Sequence, residues 1–405
     1  MFNLNIYEDF SLRAYGDKIA ILGRRDGGRV GINGKPAQAI CALVEKTDFG
    51  ELVKFAHQGI PANNALRPVY DVVREPFDRL KKRVGPTAEK DMNLRGFVGY
   101  SFRNRIPVNC LFEITYRCNL RCTHCYVLHL VSEPKPQHMP FDLVERVLEE
   151  LAHIGTVNLT LSGGESLLHP QWPQIIRKAK DMHMHVAFKT NGLMMNRRRA
   201  EIYAEDPAHS LHYSLYGATA AIHDDIAALP GAFDRTIESL ELLSELGIKV
   251  TVIILITKHN VHQLEAMIEL CEKMGHKPSH TDLISGRLNG DRSPRDLKIS
   301  EETRQDLVAR GFLKPFKPAA CTAGAFKIKI APNGEVFTCE FVPTPFGNLA
   351  ENSLKEIFYG EDFAEFGKNI VDMSKVRPPG SKRKINSCPG LNLLNTGEYI
   401  GVTEV

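Results

Sequence analysis

Cys118, Cys122 and Cys125 stand in YRCNLRCTHCY with the spacing Cys-x3-Cys-x2-Cys. Three thiolates on one tight loop can each hold one iron of a cubane cluster, which leaves the fourth iron without a protein ligand. An open metal position is what a reaction needs. The competing use of such a loop is zinc, for which His124 offers a fourth donor, although it is wedged between two of the cysteines. Cys321, Cys339 and Cys388 form a second group near the C-terminus. The remaining three of the nine cysteines read as packing residues. Cys271 shares a helix face with Met267, Leu270 and Met274, and Cys41 sits in the helical AQAICALVEK. Cys110 lies in the strand that leads to the first group, on the order of 25 Å from it along that strand, too far to join it.

The elements around these residues change character twice. Residues 1–90 begin with short strand-like runs, LRAYG, IAILGRR and RVGIN, followed by helical patterns, an order that fits a winged-helix-like module. Residues 91–107 are polar and irregular and read as a linker. From Val108 to residue 312, six strand-like runs (CLFEIT, TVNLTL, HVAFKT, HYSLY, KVTVIILI and HTDLIS) alternate with amphipathic helices such as FDLVERVLEELAHIG. Repeated βα units imply an α/β fold with a parallel sheet closed into a partial (β/α)6 barrel, and ligands in such folds gather at the carboxyl ends of the strands. Residues 313–405 change again, to an α+β pattern: AFKIKIAP and EVFTCEF read as a hairpin turning at Asn333–Gly334, NSLKEIFYG and DFAEFGKNI as helices, and SCPGLNLLNTGEYIG as turn-rich.

Composition narrows the function classes. At 43% hydrophobic and 24% charged residues the chain is of ordinary globular type, and a net charge of +3 favours neither nucleic acid nor an anionic membrane. The start, MFNLNIYEDFSLRAYG, lacks the basic-then-apolar pattern of a signal peptide, and the longest apolar run, Val252 to Ile256, is far too short for a bilayer. A cytosolic location is therefore expected, where clustered cysteines serve metals or catalysis rather than disulfides.

With these residues in view, the cysteine loop after the first strand resembles the signature of the radical S-adenosylmethionine (SAM) superfamily. NLTLSGGES ends in Gly163–Gly164–Glu165, which resembles that family's GGE motif, in which glycines let the backbone approach SAM near its amino group. Thr190–Asn191–Gly192, Ser214–Leu215–Tyr216–Gly217 and Thr257–Lys258–His259–Asn260 fall at the next three strand ends, where the family contacts the rest of SAM. The resemblance implies a 4Fe–4S cluster on Cys118, Cys122 and Cys125, SAM on its open iron, and contacts from Gly163, Gly164, Glu165, Thr190, Asn191, Ser214 and Asn260. It also implies that reductive cleavage of SAM yields a 5′-deoxyadenosyl radical, the cofactor carrying the hard step. A reductant such as flavodoxin or ferredoxin is the expected electron donor.

The second cysteine group resembles the SPASM or shorter twitch extension of the same enzymes. The full SPASM pattern has seven cysteines and two clusters. Three cysteines here imply one auxiliary iron–sulfur cluster on Cys321, Cys339 and Cys388, and so the twitch type. The N-terminal module is similar in pattern to the PqqD-like element that receives a precursor's leader peptide as an added strand, here beside Arg29 to Asn33. Together these imply an enzyme that matures a ribosomally made precursor peptide, most simply by joining a cysteine sulfur to a carbon. Haem or other cofactor synthesis is the alternative within enzymes. An iron–sulfur DNA-binding regulator is the alternative outside them, since winged helices also bind nucleic acid and REPFDRLKKRVG is basic. No aromatic residues interleave that run, and a regulator has little need for Gly163–Gly164–Glu165, so nucleic acid is the least expected partner.

Overall fold

The computed structural model describes four strands between Phe2 and Asn33, then residues 101, 105–134, 138–315, 321–373 and 388–399. The helices expected between residues 34 and 90, Cys41 included, and most of the 91–107 linker lie outside the described residues. The N-terminal strands β1 (Phe2–Tyr7), β2 (Phe10–Tyr15), β3 (Ile19–Arg24) and β4 (Arg29–Asn33) form an antiparallel meander in that order. The last three are the runs read from the sequence, and FNLNIY adds β1 beside β2. Strand β4 occupies an edge of this sheet.

The second sheet is the barrel. Strands β5 (Asn109–Thr115), β6 (Asn158–Gly163), β7 (His185–Thr190), β8 (Ser210–Leu215), β9 (Thr251–Leu255) and β10 (Lys277–Thr281) pair in parallel, each with the next. Parallel neighbours require crossovers, and these are helices: α1 (Phe141–Ile154), α2 (Trp172–Asp181), α3 (Arg197–Glu205), α4 (Ala220–Ala227), α5 (Ala232–Glu245) and α6 (Leu264–Lys273). Helix α1 shows why they dock. Val144, Val147, Leu148 and Leu151 recur at helical spacing and are all buried, at roughly 1.5–3 kcal/mol per side chain. Gly155, at φ +99°, ends the helix in the left-handed turn that glycine adopts freely. Strand alternation divides the barrel staves: Val186 and Phe188 of β7 pack with Trp172 and Ile175 under the helices, while His185, Ala187 and Lys189 take the opposite face.

Three expectations are corrected. The sixth strand begins at Lys277, not His280. It is an edge strand of polar KPSHT, and the apolar Ile284 after it packs with the cysteine loop rather than in the sheet. The C-terminal hairpin is present, but it continues the barrel: β11 (Lys327–Ile330) pairs in parallel with β5, and β12 (Val336–Phe337) closes the sheet order. Its turn needs Gly334 at φ +84°. Helix α7 (Glu301–Ala309) precedes it, while α8 (Leu354–Tyr359) and α9 (Glu361–Met373) follow, and Leu354, Phe358 and Phe363 join the barrel's apolar core. Last, the segment read as turn-rich contains helix α10 (Pro389–Thr396). Pro389 is its first residue and Gly397, at φ +90°, follows its last, so these turn-forming residues mark helix ends. Among the described residues no helix is long and apolar enough to cross a membrane.

Candidate active site

The loop after β5 carries the first cysteine set. Its backbone is pinned from several sides: Arg121 N donates to Ala227 O at 3.3 Å, Thr123 N to Ile226 O at 3.0 Å, and Leu288 N to Tyr126 O at 3.0 Å. Arg287 adds a guanidinium bond to Thr123 O at 3.1 Å. Leu120 and Cys122 pack with Tyr216, Ile226, Leu255 and Ile284, and Cys118 and Cys125 border the same cluster. The three thiols lie in one another's fields. Burial pushes Cys118 up to about 12, with the nearby Glu165 and Cys125 charges opposing ionisation further. Burial raises Cys122 and Cys125 as well.

Three buried thiolates that repel one another need a compensating cation. Among the described residues no three His, Cys, Asp or Glu gather as tightly as one metal ion requires. A cubane asks for less, because its thiolates sit on separate irons. His124 turns its ring edge to Tyr216 at 4.8 Å, and burial lowers its pKa to about 4. Asn119, beside Cys118, keeps a buried Nδ2 donor that no protein acceptor meets. Soft donors on one loop beside an orphaned donor fit a cluster with a polar ligand at its open iron.

The GGE segment is welded to this loop. Gly164 N donates to Thr115 O and Glu165 N to Arg117 O, each at 2.7 Å. A Cβ on Gly163 would stand 2.1 Å from Thr115 O, and one on Gly164 would stand 2.4 Å from Arg117 O. The glycines thus let the end of β6 lie directly on the backbone that presents Cys118. Glu165 is buried, and its carboxylate accepts from Leu167 N at 2.8 Å, Thr190 Oγ1 at 2.7 Å and Asn191 N at 2.7 Å. Burial raises its pKa while those bonds work against the rise. Asn191 then reaches Asn119 Oδ1 at 2.8 Å, so Gly163, Gly164, Glu165, Thr190 and Asn191 form one unit against the cysteine loop.

Ser214 and Asn260 gather on the other side, around Tyr216. The Tyr216 hydroxyl lies 3.8 Å from Cys122 Sγ and shares a hydrogen bond with the Ser214 side chain. Asn260 is fully buried; it accepts from Thr257 N at 2.7 Å and donates to Tyr216 O at 2.9 Å and Leu255 O at 2.7 Å. These bonds tie the ends of β8 and β9 together and set the Tyr216 backbone.

The second cysteine set also converges. Cys321, Cys339 and Cys388 feel one another's charge, and burial pushes Cys321 to about 11, Cys339 to about 12, and Cys388 upward. Ala323, Val342, Ile370 and Phe366 pack around Cys339 and Cys321. Cys110 and Cys271 lie in the barrel's apolar core instead.

Between the two sets runs a charged network that the sequence reading missed. Glu113 of β5 and Lys329 of β11 have fully buried side chains 3.6 Å apart, and Lys329 Nζ also lies 4.1 Å over the Phe337 ring. Glu113 accepts from Tyr116 OH at 2.9 Å and from the hydroxyl of Tyr126, the neighbour of Cys125. Lys327 pairs with Glu340, the neighbour of Cys339, at 2.5 Å. Lys189 is held below its ordinary pKa by enclosure in protein, within the fields of Glu340, Lys327 and Glu113. Burial lowers His212 too, and the Lys189 charge adds to it. The signal was present in LFEIT and KIKI, where charged residues alternate with core residues on strands.

Residues 112–271 match the radical SAM superfamily model, and residues 321–389 match SPASM, an iron–sulfur cluster-binding domain. The chain is a radical SAM enzyme with a SPASM domain; such enzymes use SAM, a 4Fe–4S cluster and auxiliary iron–sulfur clusters. It is 25% identical to the AdoMet-dependent heme synthase of Methanosarcina barkeri over 71% of this chain and 93% of that protein. It is 27% identical to the antilisterial bacteriocin subtilosin biosynthesis protein AlbA of Bacillus subtilis over 62% of this chain, but spans only 60% of AlbA's length. In fold it is similar to Streptococcus suis SuiB bound to S-adenosylmethionine, with a TM-score of 0.60 and 15% identity over 94% of this chain and 92% of SuiB.

Proposed function

We propose that this chain matures a ribosomally made precursor peptide by linking a cysteine sulfur to a carbon of another residue. The second cysteine set carries the reading. Cys339 follows β12, which extends the barrel sheet, and Lys189 of β7 lies in the fields of both Glu340 beside Cys339 and Glu113 near the first set, so the second set offers a place for the second electron that such a bond releases. A cluster held by Cys118, Cys122 and Cys125, reduced by a donor such as flavodoxin or ferredoxin, would cleave bound SAM and so supply a radical able to remove one hydrogen atom. Closing a C–S bond from C–H and S–H removes two protons and two electrons in all. The atom taken by the radical accounts for one of each; the remaining proton would leave to solvent, and an auxiliary cluster held by Cys321, Cys339 and Cys388 would accept the remaining electron.

Gly163, Gly164, Glu165, Thr190 and Asn191 shape the SAM side of the site, with Ser214 and Asn260 acting through Tyr216. Cys321, Cys339 and Cys388 hold a single auxiliary cluster, of the twitch type. Residues 1–90 receive the leader peptide, added beside Arg29–Asn33. The edge position of β4 supports this, because an edge strand offers unpaired backbone groups to an extended peptide. SuiB, similar in fold over 94% of this chain, has been solved with its precursor peptide SuiA. A second reading, haem or other cofactor synthesis, draws on the heme synthase likeness, which spans 93% of that relative.

The test compares the full chain with one lacking residues 1–90. Both should cleave SAM with dithionite. Only the full chain should convert a leader-bearing, cysteine-rich peptide into a product lighter by two hydrogens whose cysteine no longer alkylates. Equal conversion by the truncated enzyme would refute the leader-binding role and bring the small-molecule reading forward.

A further inference from the structure

We propose that Glu340 is the fourth protein ligand of the auxiliary cluster, completing the set of Cys321, Cys339 and Cys388. The inference rests on the reading of that cysteine set as a cluster site. Three thiolates leave one iron of a four-iron cluster without a protein donor. No further cysteine among the described residues is free to supply it: Cys110 and Cys271 are packed in the barrel core, and the loop after β5 holds the other three.

Glu340 answers the need on three separate observations. The chain leaves β12 at Phe337, bends through Thr338 and Cys339 and turns at Glu340, so these neighbours escape the strand rule that sends adjacent side chains to opposite faces. Glu340 lies near enough to Cys321, Cys339 and Cys388 for its charge to act on all three. A lone carboxylate among three thiols is repulsive until a cation enters, and irons supply that cation. Finally, the two carboxylate oxygens are treated differently. Oε1 takes the Lys327 ammonium at 2.5 Å, while Oε2 is buried and meets no hydrogen-bond donor. A buried carboxylate oxygen without a partner is costly. One oxygen anchored by a neighbouring cation and the other facing a metal is how ligating carboxylates are commonly held.

The assignment closes the site. With four protein ligands the cluster has no open iron for a substrate thiolate, which leaves it the role of electron acceptor. Lys327 then acts as a positioning residue, holding the carboxylate by its other oxygen.

The experiment uses the full chain carrying Cys118→Ala, Cys122→Ala and Cys125→Ala, reconstituted without oxygen with iron and sulfide, so that only the second site is loaded. Iron per chain, Mössbauer spectra and the EPR signal of the oxidised protein are recorded for this background and with E340Q, E340C or C41A added. The background should hold about four irons. E340Q should fall to about three and show the half-integer-spin signal of a three-iron cluster, while E340C and C41A should keep four. E340Q with four irons and unchanged spectra overturns the assignment, as does loss of the fourth iron in C41A alone. If E340Q holds no iron, four irons in E340C support the assignment and none in E340C overturns it, since a thiolate can replace a ligating carboxylate. A folded background without iron refutes the cluster site itself, a result distinct from failure of the Glu340 assignment.

Discussion

Gly164→Ala tests whether the GGE segment works by lying on the cysteine loop. The added Cβ would stand 2.4 Å from Arg117 O, 2.8 Å from Arg117 C and 2.9 Å from Tyr116 O, against a practical floor of 3.0 Å. All three atoms are backbone, so no side chain can swing away; the end of β6 must retreat from the loop by about half an ångström or more. That retreat stretches the bonds Gly164 N to Thr115 O and Glu165 N to Arg117 O, both 2.7 Å. Two net backbone bonds are worth about 1–3 kcal/mol together, and overpacking adds about 1–3 kcal/mol. The larger effect should fall on chemistry, because a misplacement near 1 Å can cost about 100-fold in rate. The assay is dithionite-dependent formation of 5′-deoxyadenosine by the reconstituted enzyme, read beside iron content and thermal melting. G164A should keep most of its iron, melt a few degrees lower and cleave SAM at least about tenfold more slowly. Wild-type cleavage with full iron would refute the reasoning, since the strand end could then move without disturbing the site.

Lys329→Met should destabilise the apoprotein by about 3–5 kcal/mol in urea unfolding, because it strands the buried Glu113 carboxylate. The double variant E113Q/K329M should recover part of that loss, and additivity of the two single effects would show that the pair is not coupled. His223 supports Tyr216 through its Nδ1, which accepts from Tyr216 N at 3.3 Å, and burial lowers its pKa to about 4. A histidine depressed in the fold contributes stability above its ordinary 6.5 that is lost as pH falls toward 4, so the melting temperature should drop across that window. H223N, which keeps an acceptor near the same place, should flatten the drop, and an unchanged profile in H223N would assign it to other groups.

The chemistry of the first site could be read from the sequence because it is local. Cys118, Cys122 and Cys125 sit on one short loop, and the partners at Gly163, Thr190 and Ser214 recur at successive strand ends, where a βα repeat must bring them together. The barrel helices were legible for a similar reason, since the apolar spacing of α1 is the face it buries. Elements with weak apolar patterns were not: α3, in RRRAEIYAE, buries only Ala200 and Tyr203, and β10 is polar because it is an edge. Tertiary structure alone decided what the polar groups do. The helical and strand periods tell which face a residue takes, but not which residue stands opposite it across the sheet. The placement of β11 beside β5 could not be inferred from either strand separately, yet it sets Lys329 against Glu113 and threads a charged network between the two cysteine sets. The same limit applies to Asn260, whose three hydrogen bonds tie β8 to β9, and to Glu340, whose two oxygens acquire different surroundings only when the chain turns beside Cys339. Hydrogen bonds and ion pairs depend on distances of a few ångströms between residues far apart in the chain, and such distances exist only once the chain has folded.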